Sequence, residues 1–177
     1  MPPEAERPIA LVGLMGAGKS VVARALGERL GAAVADLDSM LEAEAGCTIT
    51  ELFERDGEPA FRRRETRLLD QALAAGADVV ACGGGIVLTP AAREVLRARC
   101  RTVWLEVTPE EAARRLRQRL ATRPLLAGAD PRARLETLLA ERAPLYAEVA
   151  IARVAGGGGD PGQVADAVLR SLAARHP

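Results

Sequence analysis

Residues 9–20 read IALVGLMGAGKS, and this stretch determines how the rest of the chain is interpreted. Its four apolar residues predict a buried strand, and a G-x-x-x-x-G-K-S sequence follows at once. An amphipathic pattern over about residues 18–30 then predicts a helix. A strand, a glycine-rich loop and a helix in this order are the context in which such a loop binds phosphate. The predicted phosphate-binding loop consists of Gly13, Leu14, Met15, Gly16, Ala17, Gly18, Lys19 and Ser20.

Each residue type in this loop can contribute to binding a phosphate or its metal ion. Glycines let successive backbone N–H groups point at phosphate oxygens, and the N-terminus of the following helix adds positive partial charge. Lys19 can reach the terminal phosphates, and the Ser20 hydroxyl is placed to ligate Mg²⁺. Lys19 is also the only lysine among 24 basic residues. The alternative is a chance match in a chain with 17 glycines, but it leaves the flanking strand and helix unexplained.

The bulk composition excludes several classes of function. The 24 acidic residues balance the 24 basic ones and aromatics make up only 2%, so we expect no nucleic-acid partner. No apolar run of about 18 residues occurs, so we expect no membrane-spanning helix. The N-terminal residues lack the apolar region of a signal peptide. Cys47, Cys82 and Cys100 lack metal-ligand spacing and indicate reduced thiols in a cytoplasmic protein.

The low histidine content limits which side chains could serve in acid–base chemistry. The only histidine is His176, next to the C-terminus. A histidine general base or a histidine-ligated metal is therefore not expected, and proton transfer in an enzyme of this sequence would fall to carboxylates.

Predicted strands alternate with predicted helices along the whole chain. The strands are 9–12, 33–35, 78–82, 102–107 and 150–154, and the main helices are 18–30, 39–45, 59–75, 90–98, 109–120, 132–148 and 161–174. Alternation of this kind predicts one domain with a mainly parallel sheet and helices on both faces. The strands are continuous apolar runs, as burial on both faces requires. Ligands of such sheets bind beyond the C-terminal ends of the strands.

Asp36 and Asp38 follow the second predicted strand and are therefore expected at the same edge as the phosphate loop. One carboxylate can face the loop and help to hold Mg²⁺ through water, while the other orients or deprotonates a substrate hydroxyl. The alternative is that Asp38 or Ser39 is simply the N-cap of the next helix. The shared edge favours the functional interpretation.

Three further features are ambiguous when taken singly. Arg62 can pair with Glu65 along its own helix, or its planar fork can hold a substrate carboxylate. The triplet at residues 83–85 is either a flexible turn or a backbone that approaches a ligand closely. The arginine-rich helix before residue 122 is either a solvated face or the start of a lid that excludes water.

Taken together, these motifs resemble the shikimate kinases, and they occur in that family's order over about residues 9–165. The phosphate loop alone is common to many NTPases, whereas the combination is specific. The matching pieces are the loop with Met15-Gly16, Asp36-x-Asp38, Gly57-Glu58 with Phe61-Arg62 and Glu65, Gly83-Gly84-Gly85, Arg123-Pro124-Leu125-Leu126, and Arg142-Ala143-Pro144-Leu145-Tyr146.

The resemblance implies a fold and an activity. The fold is a three-layer α/β P-loop kinase, with a five-stranded parallel sheet in the order 2-3-1-4-5 flanked by helices. Residues 1–177 would form one domain with a substrate-binding region at about 39–76 and a lid at about 119–133. The activity is ATP-dependent phosphorylation of the 3-hydroxyl of shikimate, on the pathway to chorismate and the aromatic amino acids.

The resemblance also implies roles for residues of the reaction centre. Lys19 and Arg123 would lie on the phosphates, and Ser20 and, through water, Asp36 would hold Mg²⁺. Asp38 would bind shikimate hydroxyls and serve as the catalytic base. Lys19, Asp38 and Arg123 are thus the predicted catalytic residues.

The remaining implied roles concern the two ends of the site. Arg62 and Arg142 would clamp the shikimate carboxylate, with Gly84 and Gly85 lining the pocket. At the adenine side the implied contacts are Arg115 and Pro161. The chain departs from the family here: one additional residue separates Arg115 from Arg123, and glycines at 156–159 replace a more polar stretch.

Two other functions are consistent with a phosphate loop. A related small-molecule kinase, such as a gluconate kinase, shares the loop, but the paired arginines favour shikimate. A non-catalytic nucleotide-binding module shares the fold, but the intact set of lysine, serine and aspartates argues against it. We expect ATP and shikimate as the only partners, no membrane association and a monomer.

Overall fold

Strands and helices alternate throughout the part of the chain that the structure describes. A computed structural model describes residues 6–116, 130–156 and 159–174. Its elements, in order, are β1 (Ile9–Val12), α1 (Lys19–Leu30), β2 (Val34–Asp36), α2 (Leu37–Ala45), α3 (Ile49–Ala74), β3 (Val79–Ala81), a 3₁₀ helix (Ile86–Leu88), α4 (Pro90–Arg99), β4 (Arg101–Glu106), α5 (Pro109–Leu116), α6 (Pro131–Val149), β5 (Ala152–Ala155) and α7 (Pro161–Ala173). Most of the predicted lid at 119–133 lies outside the described residues.

The five strands form one parallel sheet in the order β2-β3-β1-β4-β5, which confirms the predicted order. Ile9 at the start of β1 lies opposite Val79 of β3 and Arg101 of β4. Because all strands run the same way, the segments that follow β1, β2 and β3 emerge at one edge. This edge carries the phosphate loop, the two aspartates and the glycine triplet.

Side chains of β1 alternate between the two halves of the core, as a strand requires. Ile9 and Leu11 pack on the side of α1 and α7, whereas Ala10 and Val12 pack on the side of α3 and α4. The sheet is thus the middle of three layers.

The expectation that the strands are buried on both faces holds in the centre of the sheet and is wrong at its edges. All residues of β1 and β3 are buried. In β2, Val34 is 38% exposed, and β5 alternates buried and exposed residues. An edge strand has a neighbour on one side only, so its faces are less completely covered.

Helix α2 begins earlier than predicted, and this changes the identity of its cap. The N-cap is Asp36, whose Oδ1 accepts a hydrogen bond of 3.2 Å from the Ser39 N–H. The alternative that Asp38 or Ser39 caps the helix is therefore wrong. Asp38 lies inside the first turn, where its negative charge is favourable next to the helix N-terminus.

Helix α3 contains a kink where the sequence predicted a break. Gly57 has φ 75° and ψ 167°, which is not helical, and Pro59 begins the second half. The first half begins with a capping box, in which Thr48 and Glu51 bond each other's backbone N–H groups. The kink lets one long element turn two apolar rings, Phe53 and Phe61, towards each other at a centroid distance of 4.7 Å.

Within these ranges, none of the helices has the length and apolarity needed to cross a membrane.

Candidate active site

The phosphate loop has a backbone that needs glycine at three positions. Gly13, Gly16 and Gly18 all have positive φ values, of 140°, 84° and 88°. A Cβ on Gly13 would lie 2.4 Å from the Leu105 carbonyl oxygen, so a side chain there is excluded by contact as well as by conformation. Helix α1 begins directly after Gly18, so its N-terminus points into the loop.

Lys19 folds back over this loop. Its Nζ donates hydrogen bonds to the Gly13 and Leu14 carbonyl oxygens at 2.9 and 3.0 Å, and the residue is only 9% exposed. The ammonium group is thereby held where the loop backbone turns. A flexible four-carbon side chain with a compact charge can exchange these carbonyls for phosphate oxygens.

A cavity of about 420 Å³ opens in front of the loop. Asp36, Asp38 and Arg115 line it together with the loop, so these predicted site residues share one pocket. The other lining residues include Met15, Gly16, Gly18, Lys19, Ser20, Cys82, Gly84, Gly156 and Pro161. Chemically, the pocket offers backbone N–H groups, an ammonium, a hydroxyl and two carboxylates, a set suited to a metal-bound polyphosphate.

A second, smaller cavity of about 60 Å³ adjoins the first. Met15, Asp38 and Gly84 line both cavities and so mark the border between them. The small cavity is lined further by Ile49, Phe53, Phe61, Arg62, Glu65, Gly83, Gly85 and Arg142. It therefore combines an apolar wall from α3 with two arginines and two carboxylates.

Arg62 forms the ion pair that the sequence offered as one alternative, and it also lines the small cavity. Its Nη1 lies 2.7 Å from Glu65 Oε2, and its Nη2 lies 3.1 Å from Glu58 Oε1. Its guanidinium also lies over the rings of Phe53 and Phe61, at 5.8 and 5.2 Å from their centroids. The residue thus pairs along its own helix and still faces the small cavity.

Arg142 is in a different electrostatic position. It is only 3% exposed, and its Nη1 donates to the Gly84 carbonyl at 3.2 Å, but its Nε has no hydrogen-bond partner. Among the described residues no carboxylate forms an ion pair with it, in contrast to Arg62. Glu65 is near enough to interact with it electrostatically but forms no ion pair with it, so this group is prepared to receive an anion.

Glu65 is a pocket residue that the sequence interpretation did not include in the site. It is 1% exposed, its Oε2 accepts from Arg62 and its Oε1 is buried without a hydrogen-bond partner. Burial, with a smaller contribution from the nearby Asp38, raises the pKa of Glu65 to about 7 against the lowering effects of Arg62 and Arg142. The i,i+3 spacing to Arg62 indicated the ion pair, but nothing in the sequence indicated burial next to the pocket.

The glycine triplet leaves room for these side chains. A Cβ on Gly83 would come within 2.1 Å of Glu65 Oε1 and 3.0 Å of Asp38 Oδ1. A Cβ on Gly85 would come within 2.2 Å of an Arg62 guanidinium nitrogen. Close approach to charged side chains thus accounts for glycine at 83 and 85, whereas Gly84 lies against the backbone of the phosphate loop, 3.3 Å from the Met15 nitrogen when a Cβ is added.

The predicted adenine-side residues both line the large cavity. Arg115 donates from Nη1 to the carbonyls of Gly16 at 3.1 Å and Gly156 at 3.0 Å, whereas the Arg114 side chain is 69% exposed. Pro161 is the first residue of α7 and also lines the cavity. Arg123, the remaining predicted catalytic residue, lies outside the described residues.

The family model, the relative and the structure compared next all carry the name shikimate kinase. The family model described as shikimate kinase matches residues 15–173. A shikimate kinase of Symbiobacterium thermophilum is 47% identical over 147 residues, which cover 82% of this chain and 84% of that protein. The structure of shikimate kinase from Acinetobacter baumannii in complex with shikimate superimposes with a TM-score of 0.92 at 38% identity, covering 98% of this chain and 96% of that one.

A gluconokinase structure bears on the alternative substrate. The enzyme from Sinorhizobium meliloti matches with a TM-score of 0.62 at 20% identity, covering 98% of this chain and 95% of that one. At this level of identity the likeness concerns the fold alone.

Proposed function

The chain belongs to the shikimate kinase family, and we propose that its two adjoining cavities hold the two substrates of that reaction, ATP and shikimate. The reaction transfers the terminal phosphoryl group of ATP to the 3-hydroxyl of shikimate, in the biosynthesis of chorismate and aromatic amino acids. Phosphoryl transfer depends mainly on side chains that position the two substrates and on side chains that stabilise charge on the transferred phosphate.

The large cavity would bind ATP. The loop N–H groups and the N-terminus of α1 face phosphate oxygens in this arrangement, and Lys19 would exchange its two carbonyl partners for the terminal phosphates. Arg115 and Pro161 would meet the nucleotide at the other end, since both line the same cavity.

Mg²⁺ would accompany the nucleotide. Among the described residues no group of three or more His, Cys, Asp or Glu side chains is arranged to hold a metal by itself. Ser20 and Asp36 both line the phosphate cavity, and one or two protein oxygens next to substrate phosphates are the usual protein share of a Mg²⁺ site. We propose Ser20 as a direct ligand and Asp36 as a ligand through water. The bound ion would neutralise charge on the phosphates.

The small cavity would bind shikimate, and the observation that carries this assignment is the unpaired cation of Arg142. A carboxylate supplies the missing counter-charge and can accept hydrogen bonds from the planar fork. Arg62 would complete the clamp from α3. Gly84 and Gly85 would bring the backbone close to the substrate.

Asp38 would act on the substrate hydroxyl. It lines both cavities, so a hydroxyl held in the small cavity can face both Asp38 and the terminal phosphate. A carboxylate there orients the hydroxyl and accepts its proton as the new P–O bond forms. The role of Arg123, and the lid around it, stays a prediction from the sequence.

We further propose that the protein acts as a monomer in the cytoplasm. Support for the compartment comes from Cys47, Cys82 and Cys100, which are all free thiols. Light scattering measures the mass of the purified protein in solution, and a mass of twice the 18.6 kDa of one chain would contradict the monomer.

Release of ADP from ATP and Mg²⁺ tests the proposed function directly. We expect release that depends on shikimate, does not occur with gluconate and is lost in Asp38→Asn. If ADP were released with gluconate and not with shikimate, the protein would still be a kinase, but the assignment of shikimate as its substrate would be wrong. An Asp38→Asn variant with normal turnover would remove Asp38 from the role of base.

A further inference from the structure

We propose that Tyr146 is a positioning residue whose hydroxyl fixes the peptide of Gly84 and the fork of Arg142 in the geometry that receives the shikimate carboxylate. This inference rests on the proposed function of the small cavity. Tyr146 does not line that cavity, so it would act through the two groups that do.

Tyr146 and Arg142 lie one turn apart on α6 and reach the same acceptor. Residues four apart share a helix face, so both side chains point from α6 towards the glycine triplet. The Tyr146 hydroxyl and Arg142 Nη1 both donate to the Gly84 carbonyl oxygen. A carbonyl oxygen has two lone pairs and can accept both bonds, so the two donors hold it from two sides.

The ring that carries this hydroxyl has no freedom to move. Tyr146 has no exposed surface, and its ring packs against Trp104 at a centroid distance of 5.5 Å. Arg153 covers Trp104, with its guanidinium carbon 4.9 Å from the indole centroid. A fixed ring with one polar atom at its tip delivers a hydrogen bond in a fixed direction.

The hydroxyl is also a donor at all physiological pH values. Burial raises the pKa of Tyr146 to about 12, against a smaller lowering by Arg142. The proton is therefore retained, and the Gly84 carbonyl is never faced by a phenolate.

Fixing the Gly84 carbonyl fixes more than one atom. The Gly84 carbonyl and the Gly85 N–H belong to one planar peptide and point in opposite directions, so holding the carbonyl towards α6 directs the N–H away from α6. A Cβ on Gly84 would lie 3.3 Å from the Met15 backbone nitrogen, which shows how closely this peptide abuts the phosphate loop. A shift of this peptide would therefore alter the small cavity at its border with the large one.

A purely structural role is the competing explanation, because any buried carbonyl gains from a donor. The two explanations differ in what the loss of the hydroxyl would change. A structural role lowers the stability of the protein. A positioning role also weakens shikimate binding, while ATP binding stays the same.

The test is Tyr146→Phe, which keeps the ring and removes only the hydroxyl. We expect the KM and Kd for shikimate to rise about fivefold, with the KM for ATP unchanged. The matched control is Thr102→Val. Thr102 is fully buried, and its Oγ1 donates to the Leu96 carbonyl at 3.2 Å, so this control also removes a buried hydroxyl–carbonyl bond. It should lower the melting temperature and leave both KM values unchanged.

The outcomes separate this inference from the proposed function. The positioning role would be overturned if Tyr146→Phe left the KM for shikimate unchanged and only lowered the melting temperature, as Thr102→Val does. Equal rises in both KM values would overturn it too. If Arg142→Met weakens shikimate binding while Tyr146→Phe does not, only the inference fails. If neither does, the carboxylate clamp fails as well.

A second experiment needs no substitution. Tyr146 is the only tyrosine in the chain, so biosynthetic replacement of tyrosine by a ring-fluorinated analogue changes this residue alone. Fluorine lowers the phenol pKa. The charged groups that influence the hydroxyl are Arg142 on α6 and Glu65 and Arg62 on α3. We expect the KM for shikimate to rise at a lower pH in the fluorinated protein, and identical pH profiles would contradict the inference.

Discussion

Two arginines face the same small cavity, and the charges around them differ. Arg62 already has ion pairs with Glu58 and Glu65, whereas Arg142 has none among the described residues. Arg142 is therefore the arginine that gains an ion-pair partner when an anion binds. Replacement of Arg142 is therefore expected to weaken shikimate binding without lowering the free energy of unfolding.

Arg142→Met should weaken shikimate binding without destabilising the free protein. Loss of charged hydrogen bonds should raise the Kd for shikimate about 10- to 100-fold. The free energy of unfolding should stay equal or increase, because an apolar side chain replaces an uncompensated buried charge. Calorimetric titration and urea denaturation measure the two quantities.

The control for Arg142→Met is Arg97→Met, which removes an arginine whose side chain is 48% exposed and pairs with Glu148. It should leave the shikimate Kd at the wild-type value. An unchanged Kd in Arg142→Met itself would remove this residue from the clamp.

Glu65 should make stability depend on pH in the direction opposite to that of most carboxylates. Its pKa is raised from 4.5 to about 7, so the folded state holds a proton that the unfolded state has released between these values. Stability therefore falls as pH rises through this window. Relative to Glu65→Gln, the wild type should lose at most about 3 kcal/mol between pH 5 and pH 8.

Urea denaturation of both proteins at several pH values measures this difference. Glu58→Gln, which removes the other ion pair of Arg62, controls for the loss of an Arg62 partner. A wild-type curve parallel to that of Glu65→Gln would show that Glu65 does not titrate in this window.

At the scale of single elements, the kink in α3 connects helix geometry to the substrate. Gly57 separates a half that carries Phe53 from a half that carries Phe61 and Arg62, and the arginine lies over both rings. The apolar wall and the cation of the small cavity are thus aligned by one backbone conformation.

Gly57→Ala should impair both stability and shikimate binding. At φ 75° and ψ 167° a side chain is strained by about 1–3 kcal/mol, and relaxation of the strain would separate the two rings. The melting temperature should fall, and the KM for shikimate should rise with the KM for ATP unchanged.

Gly46→Ala is the matched control, because Gly46 also has a positive φ, of 65°, but lies at the end of α2 with open space around it. It should lower the melting temperature alone. Equal effects of the two substitutions on shikimate KM would contradict the proposed role of the kink.

At the scale of the whole molecule, the two cavities should make stability depend on ligand concentration. Shikimate at 100 times its Kd should stabilise the folded state by about 2.7 kcal/mol, because it binds the assembled cavity and not the unfolded chain. Thermal unfolding with shikimate and with gluconate at equal concentrations measures the effect. Stabilisation by gluconate equal to that by shikimate would contradict the assignment of the small cavity.

The sheet order followed from the resemblance to a known family, whereas the loop motif and the ends of the predicted strands indicated which residues lie near the phosphate loop. The sequence offered Asp38 or Ser39 as the helix cap and missed Asp36, since Asp and Ser cap about equally well and the start of the helix was placed two residues late. It also did not reveal the burial of Glu65, which depends on the space left by Gly83 on another element. Contacts between distant elements set the burial of Glu65, and local patterns do not encode them.

The packing of Trp104 on Tyr146 has a practical consequence. Trp104 is the only tryptophan in the chain, and its partner ring reaches Gly84 at the border of the two cavities. Its intrinsic fluorescence is therefore a single-site optical reporter placed two contacts from Gly84, at the border of the two cavities. Filling the small cavity should alter the emission of this indole, so that substrate occupancy can be followed by light without labelling the protein.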